Sequence, residues 1–231
     1  MTEAELEILS KSDLFYGLNP SEINFLLSSF YLNVKKYSRD DVIIIQGETY
    51  SDLSVVMKGN VSSEINDPSG KRVKLEIFSE SSLIAPGIIF AVDNTLPVTV
   101  TAETNCVLLS FSKEDVISIL QSNSNCMNNY LSLLGNKINI LAEKIRLFQF
   151  SSIQQKIAGY LLNLHKKQGS DSLIIPYTRE NLADFFGVAR PSLSRELSRM
   201  SDAGIIDIDC KKINILKKTA LKYLLDGEIL D

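Results

Sequence analysis

The rhythm of apolar positions changes twice along this chain. Residues 3–12 and 20–31 read as two short helices, the second opened by Asn19-Pro20-Ser21-Glu22 with proline in its first turn. Beyond Val34 the apolar stretches become short and β-branched, at residues 42–45, 53–57, 61–65, 73–78, 98–102 and 107–111. Gly47, Lys58-Gly59-Asn60 and Asp67-Pro68-Ser69-Gly70 fall between them as turns. Strands recurring at about ten residues between glycine turns predict an antiparallel sandwich or roll.

After Ser112 the helical period takes over. Leu131, Leu134, Ile138, Leu141, Ile145 and Phe148 alternate steps of three and four, the a/d seam of a heptad. So narrow a stripe suits a partner helix, which predicts a homodimer with these six residues at its interface. The competing reading is a helix packed within its own domain. Leu133, Ile140 and Leu147 widen the stripe, enough for the same helix to lie on the β-roll as well. A further helix covers residues 152–167, with Ile153, Ile157, Leu161 and Leu164 at helical spacing. Gly169-Ser170-Asp171-Ser172 then connects it to a short strand at Ile174-Ile175.

Thr178 is an N-cap for a helix that runs to Phe186, Gly187 ends it, and Val188-Ala189 leads into a second helix over about residues 190–202. Ala183, Gly187 and Leu193 stand where a helix-turn-helix requires a close approach, a tight turn and an apolar contact. Leu193, Leu197 and Met200 point inward, which leaves Arg190, Ser194, Arg195 and Arg199 outward. An arginine fork matches guanine O6 and N7 in the major groove, so Arg190, Arg195 and Arg199 are the candidate DNA contacts. Thr178, Ser192 and Ser194 are candidate phosphate ligands. The plainer alternative is a solvated helix decorated with arginine. Ala203-Gly204 closes the helix, and residues 205–209 and 213–216 alternate as a hairpin around Cys210-Lys211-Lys212. That lysine pair lies near the DNA backbone if the hairpin is a wing, and otherwise serves solubility.

Composition narrows the function classes. The 231 residues are 45% hydrophobic, enough for two cores, and the net charge is −4. Residues 1–150 hold 12 basic and 18 acidic side chains, whereas residues 151–231 hold 12 and 10, so only the C-terminal part leans basic. The N-terminus is acidic and no run approaches 18 apolar residues, which predicts a cytoplasmic protein with no membrane partner. Cys106, Cys126 and Cys210 are scattered, as reduced thiols are, and cannot supply a four-cysteine iron–sulfur site. With one histidine, His165, and no nucleophile–base pair or metal cluster, the chain is not expected to be an enzyme.

R-P-S-L-S-R-E-L followed by A-G-I-I, behind a strand-rich half and a long helix, resembles the Crp/Fnr family of bacterial transcription regulators over about residues 12–220. Gly47, Gly59 and Gly70 match its β-roll glycines. The resemblance implies an α+β chain with a cyclic-nucleotide-binding-like antiparallel β-roll over residues 1–112. A dimerisation helix over 113–150 and a winged helix-turn-helix over 151–231 would follow. It implies a homodimer on double-stranded DNA, with RNA polymerase as a further partner whose contacts have no readable code. Its two recognition arginines correspond to Arg190 and Arg195, and its usual glutamate between them corresponds to Pro191. Proline offers no acceptor to a cytosine amino group, so the operator should differ from that of glutamate-bearing members.

The family's ribose-binding Gly-Glu segment corresponds to Ala85-Pro86-Gly87-Ile88-Ile89-Phe90, with Pro86 at the glutamate position, and its phosphate-binding Arg-Ser pair corresponds to Leu96-Pro97. The polar contacts to the base fall on Leu141 and Ala142. A cyclic phosphate buried against leucine lacks counter-charge and donors, so cyclic AMP is not the expected effector. A pocket lined by Ile84, Pro86, Ile88, Ile89, Phe90, Leu96, Val98 and Leu141 would be apolar. An apolar or planar effector, heme included, could fill it. A collapsed core would instead leave a ligand-independent regulator. A third reading is a small-molecule-binding module with a vestigial helix-turn-helix. A-P-G-I-I-F and L-P-V-T-V-T-A are similar to the branch that regulates hybrid-cluster-protein genes under nitrosative stress, some members of which are heme-linked. His165, inside the helix-turn-helix domain, is a poor axial ligand and reads as a boundary residue. Cys106 and Cys126 read as buried inert thiols rather than redox sensors.

Overall fold

The computed structural model describes residues 1–66, 72–209 and 212–226. They fall into two units, Met1–Lys137 and Ile138–Asp231. The predicted turn at Asp67-Pro68-Ser69-Gly70 and the Cys210-Lys211 part of the wing turn lie outside the described residues.

The first unit opens with α1 (Glu3–Ser10) and α2 (Pro20–Leu27), each started by a reciprocal capping box, Thr2 with Glu5 and Asn19 with Glu22. Eight strands follow among the described residues: β1 (Asn33–Tyr37), β2 (Val42–Ile44), β3 (Asp52–Lys58), β4 (Val61–Asn66), β5 (Arg72–Phe78), β6 (Leu83–Ile84), β7 (Thr99–Ala102) and β8 (Cys106–Ser112). They form two antiparallel sheets in the orders β1-β8-β3-β6 and β2-β7-β4-β5. One apolar cluster lies between the sheets and joins Val56, Ile84 and Leu108 of the first to Ile44, Val61 and Val100 of the second. The opposite face of the first sheet packs Leu53, Val55, Leu109 and Phe111 against Leu9, Phe15, Ile23, Val116 and Tyr130. A strand buried on both faces needs apolar side chains without alternation, and β3 accordingly reads L-S-V-V-M. Its serine is paid for by a partner: Ser54 and Ser110 are both buried, oppose each other in register and share a 2.8 Å hydrogen bond.

Helix α3 (Lys113–Ser122) starts on another capping box, Ser112 with Asp115. The 25-residue helix α4 (Ser124–Phe148) then passes from the first unit into the second. The stretch 113–150 is thus divided between the units: α3 and the start of α4 belong to one, the end of α4 to the other.

The second unit contains α5 (Ile153–Gln168), β9 (Ser172–Ile174), α6 (Arg179–Phe186), α7 (Arg190–Asp202), β10 (Ile206–Asp209), β11 (Lys212–Ile215) and α8 (Lys218–Asp226). Its strands form one antiparallel sheet, β10-β11-β9. Leu147, Ile157, Leu161, Leu182, Phe186, Leu193, Leu197 and Leu221 are all buried in one core. Each such leucine stabilises the unit by roughly 1.5–3 kcal/mol through burial.

Candidate nucleic-acid interface and sensory core

Helices α6 and α7 make the helix-turn-helix. The Thr178 hydroxyl accepts the Asn181 N–H at 3.2 Å, which caps α6. Gly187 ends α6 at φ +65°, a left-handed backbone that glycine adopts without strain. The Val188 N–H then closes back onto the Ala183 carbonyl at 3.0 Å. Leu193, Leu197 and Met200 are buried, which turns Arg190, Ser194, Arg195, Ser198 and Arg199 outward, all of them exposed. Ala189 gives α7 no side-chain cap, and its carbonyl instead accepts the Ser192 and Leu193 N–H groups at 2.9 and 3.1 Å, while Pro191 has no N–H to satisfy.

The three arginines differ. Arg190 has no hydrogen-bond or ion-pair partner among the described residues, and Arg195 only meets the half-buried Ser192 hydroxyl at 3.3 Å. Arg199 is held by Glu196 at 2.7 Å, and that carboxylate is itself only 16% exposed. The Glu196 carboxylate thus offsets the charge of Arg199 and engages its Nη1, which leaves its other donors outward on a side chain that is 70% exposed. Arg179 is a further cation that the sequence reading passed over. It opens α6 beside Thr178, is half-buried, and has no partner among the described residues. Burial pulls its pKa down, since a desolvated cation without an anion is disfavoured. A phosphate at the start of α6 would supply that anion. Its only sequence signal was a basic residue directly after an N-cap. In the wing, Lys212 is exposed, and so are Asp207 and Asp209 on the facing strand.

On α4 the seam residues Leu131, Ile138, Leu141, Ile145 and Phe148 are each 59–65% exposed, while Leu134 is half-buried. Five large apolar side chains along one helix stripe are uncovered within the subunit.

The candidate effector residues are only partly brought together. Ile84 and Leu96 are buried in the cluster between the sheets, and Ile88 and Val98 pack against it. Ile89 belongs to the cluster on the other face of the first sheet. Phe90 stands edge-on to Tyr130, with Lys113 over its ring. Pro86 is buried, and its carbonyl accepts the Tyr130 hydroxyl. Leu141 lies in the second unit. The polar groups nearest in kind are a chain from Tyr50 through Ser54 to Ser110, in which burial pushes the Tyr50 phenol up to about 12. An open groove of about 410 Å³ is bordered instead by α1 and α2, at Leu6, Pro20, Asn24 and Phe25.

Cys106 and Cys126 are buried, and burial raises both thiols, Cys126 to about 11. A thiol held protonated is a poor nucleophile. Cys210 lies outside the described residues. His165 has both ring nitrogens engaged, Nδ1 with the Ser170 carbonyl at 2.8 Å and Nε2 with Lys218 Nζ, which leaves no lone pair for an iron. No group of three or more histidine, cysteine or acidic side chains that could hold a metal occurs among the described residues. No helix among them is long and apolar enough to cross a membrane.

Residues 34–123 match a cyclic nucleotide-binding domain, and residues 155–224 match a Crp-like helix-turn-helix domain. The cAMP-activated global transcriptional regulator CRP of Salmonella typhimurium is 25% identical over 187 residues, 79% of this chain and 89% of its own. The cyclic AMP receptor protein of Thermus thermophilus is 24% identical over 222 residues, 94% of this chain and 98% of its own. Among solved structures, the Thermus thermophilus catabolite activator protein superposes with a TM-score of 0.54 at 21% identity, covering 94% of this chain and all of that one. CprK in its OCPA complex superposes with a TM-score of 0.61 at 17% identity, over 88% of this chain and 93% of the other. At those identities the two structures establish the fold.

Proposed function

This chain belongs to the Crp/Fnr family as a DNA-binding transcription regulator with a cyclic nucleotide-binding domain, and from that premise we propose how it works. It acts as a homodimer joined along α4, reads a near-palindromic duplex with Arg190 and Arg195, and answers to an effector other than cyclic AMP. The observation that carries the DNA reading is the exposed Arg190, Ser194 and Arg195 face of α7, held outward by buried Leu193, Leu197 and Met200. Arg179 and Thr178 at the start of α6, with Ser192, would grip phosphates, and Arg199 would contribute less charge because Glu196 partly neutralises it. RNA polymerase is the further partner such a regulator would meet on DNA.

The test is a duplex chosen by the protein from a random-sequence pool. Its two half-sites should lie about 34 Å, one helical turn, apart. Binding should weaken steeply as salt rises, because phosphate contacts release counterions. Arg195→Ala should cost roughly 1–3 kcal/mol of affinity and relax the preference at one base pair. A variant that binds as tightly as wild type removes Arg195 from the reading.

The relatives are named for cyclic AMP, and the sensory segment here argues for a different ligand. Leu96, at the position of the phosphate-binding arginine, is only 2% exposed within an apolar cluster. Pro86 has no carboxylate for ribose. A cyclic phosphate placed there would lose its hydration for no charged partner. Millimolar cyclic AMP should leave the DNA dissociation constant unchanged, and a tightening on its addition would overturn this part. An effector of the β-roll would have to be apolar, and the packed Ile84 and Leu96 favour a second reading in which the regulator needs no ligand at all. Heme fits poorly, since the sole histidine lies in the other unit with both nitrogens engaged.

A further inference from the structure

Lys156 sits on the first turns of α5, where a helix dipole disfavours a cation. Its side chain leaves that end and places the ammonium at the C-terminus of α6. There Nζ donates to the Phe186 carbonyl at 2.9 Å, one of the acceptors that a helix end leaves without a partner. The same ammonium stands 5.4 Å from the centroid of the Phe148 ring, over its face. That ring in turn rests on the helix-turn-helix turn: a Cβ on Gly187 would meet Phe148 Cε1 at 2.9 Å. Phe148 is the last residue of α4, and Gly187 is the residue from which the chain enters α7.

We infer that Lys156 is a positioning residue for DNA reading, which with Phe148 fixes the Gly187 turn, and so the direction of α7, against the end of α4. Other contacts hold the same segment of α4 to its unit. Leu147 is buried in the core, Glu143 accepts from Asn163 at 2.6 Å and from Lys167 at 3.1 Å, and Lys144 stands over the Phe185 ring. Among these contacts, those of Lys156 and Phe148 touch the turn itself. Two recognition helices meet successive major grooves only if each is set at a fixed angle to the paired helices that present it. Loosening the turn should therefore harm the simultaneous grip on two half-sites far more than the grip on one.

The inference rests on the reading of α7 as the DNA-reading helix and α4 as the dimer helix, and the experiment separates the two. The wild-type protein selects its duplex from a random pool. Affinity is then compared for that duplex and for the same duplex with one half-site scrambled. Lys156→Met keeps the stem and removes the donor and the charge. It should lower the full-to-half preference about tenfold, a change of about 1.4 kcal/mol, while Lys156→Arg restores it. Should Lys156→Met unfold the second unit on melting, Phe148→Leu, which removes the ring face and leaves the ammonium, carries the same expectation at a concentration where it sediments as wild type does. Equal preference in wild type and variant overturns the positioning role. A wild type that selects no duplex overturns the DNA reading beneath it, and the inference with it.

Discussion

An Ile138→Asp protein should sediment as a single subunit and lose most of its hold on the two-half-site duplex. Ile138 stands in the middle of the α4 stripe and is 65% exposed in the subunit. A carboxylate there meets water in the monomer, so the folded subunit should be nearly indifferent, with unchanged circular dichroism and melting. In a paired seam the same carboxylate is removed from water without a cation. About the two-fold axis it also lies close to its own copy, a desolvated like-charge pair. The cost to the dimer is about 3–5 kcal/mol, typical of an uncompensated buried charge. Loss of pairing then removes the tethering of the second recognition helix, which for linked sites contributes roughly 10²–10⁴-fold in affinity. Sedimentation and DNA titration should fail together. A variant that remains a dimer and binds as before places the interface elsewhere and leaves Leu131, Leu141 and Ile145 as exposed apolar surface without a purpose.

The apolar stripe of α4 was legible because steps of three and four keep its members on one helix face; five of the six are exposed in the subunit, whereas Leu134 packs against the core of the first unit. The helix-turn-helix was legible for a similar reason. Ala183, Gly187 and Leu193 answer three separate geometric demands at fixed spacing, and Gly187 indeed has the left-handed backbone that spacing requires. What the apolar pattern hid was partnership. The i,i+3 spacing of Glu196 and Arg199 already offered an ion pair that Arg190, with no acidic residue three or four positions away, lacks, yet the outward pattern alone gave the two arginines the same role. Strand β1, N-V-K-K-Y, is an edge strand with no clear apolar face, and β6 is two residues long, so neither rises above the background. Helix α8 packs on α5 through Leu221 and Leu224, a contact between segments remote in sequence that local periodicity does not announce. The sensory residues were read as one lining, whereas the sheet between them sends Ile84 and Ile89 to opposite cores.

Gly59→Ala should lower the melting temperature of the first unit by roughly 10 °C or more, and its cause can be separated into two parts. Gly59 turns the chain at the corner where β3 of one sheet becomes β4 of the other, at φ +82°. A side chain in that left-handed conformation costs about 1–2 kcal/mol. The second part is collision. A Cβ at this position would lie 2.5 Å from the Asn105 carbonyl oxygen, 2.7 Å from Thr104 Oγ1 and 3.0 Å from Cys106 Cβ. The nearest of these is backbone, held in place because the Asn60 carbonyl accepts the Glu103 N–H at 2.9 Å and β8 pairs on both of its edges. Relieving it means shifting strands at a further cost of about 1–3 kcal/mol. Gly47 provides the comparison, with φ +88° but open space around the absent Cβ, so that Gly47→Ala carries the strain without the collision. The second unit has a core of its own, and amide exchange in α5, α6 and α7 should stay slow while the β-roll opens. Equal melting losses for the two alanine variants would show that the turn between Thr104 and Cys106 yields freely, and that the two sheets are joined at this corner far more loosely than their contacts require.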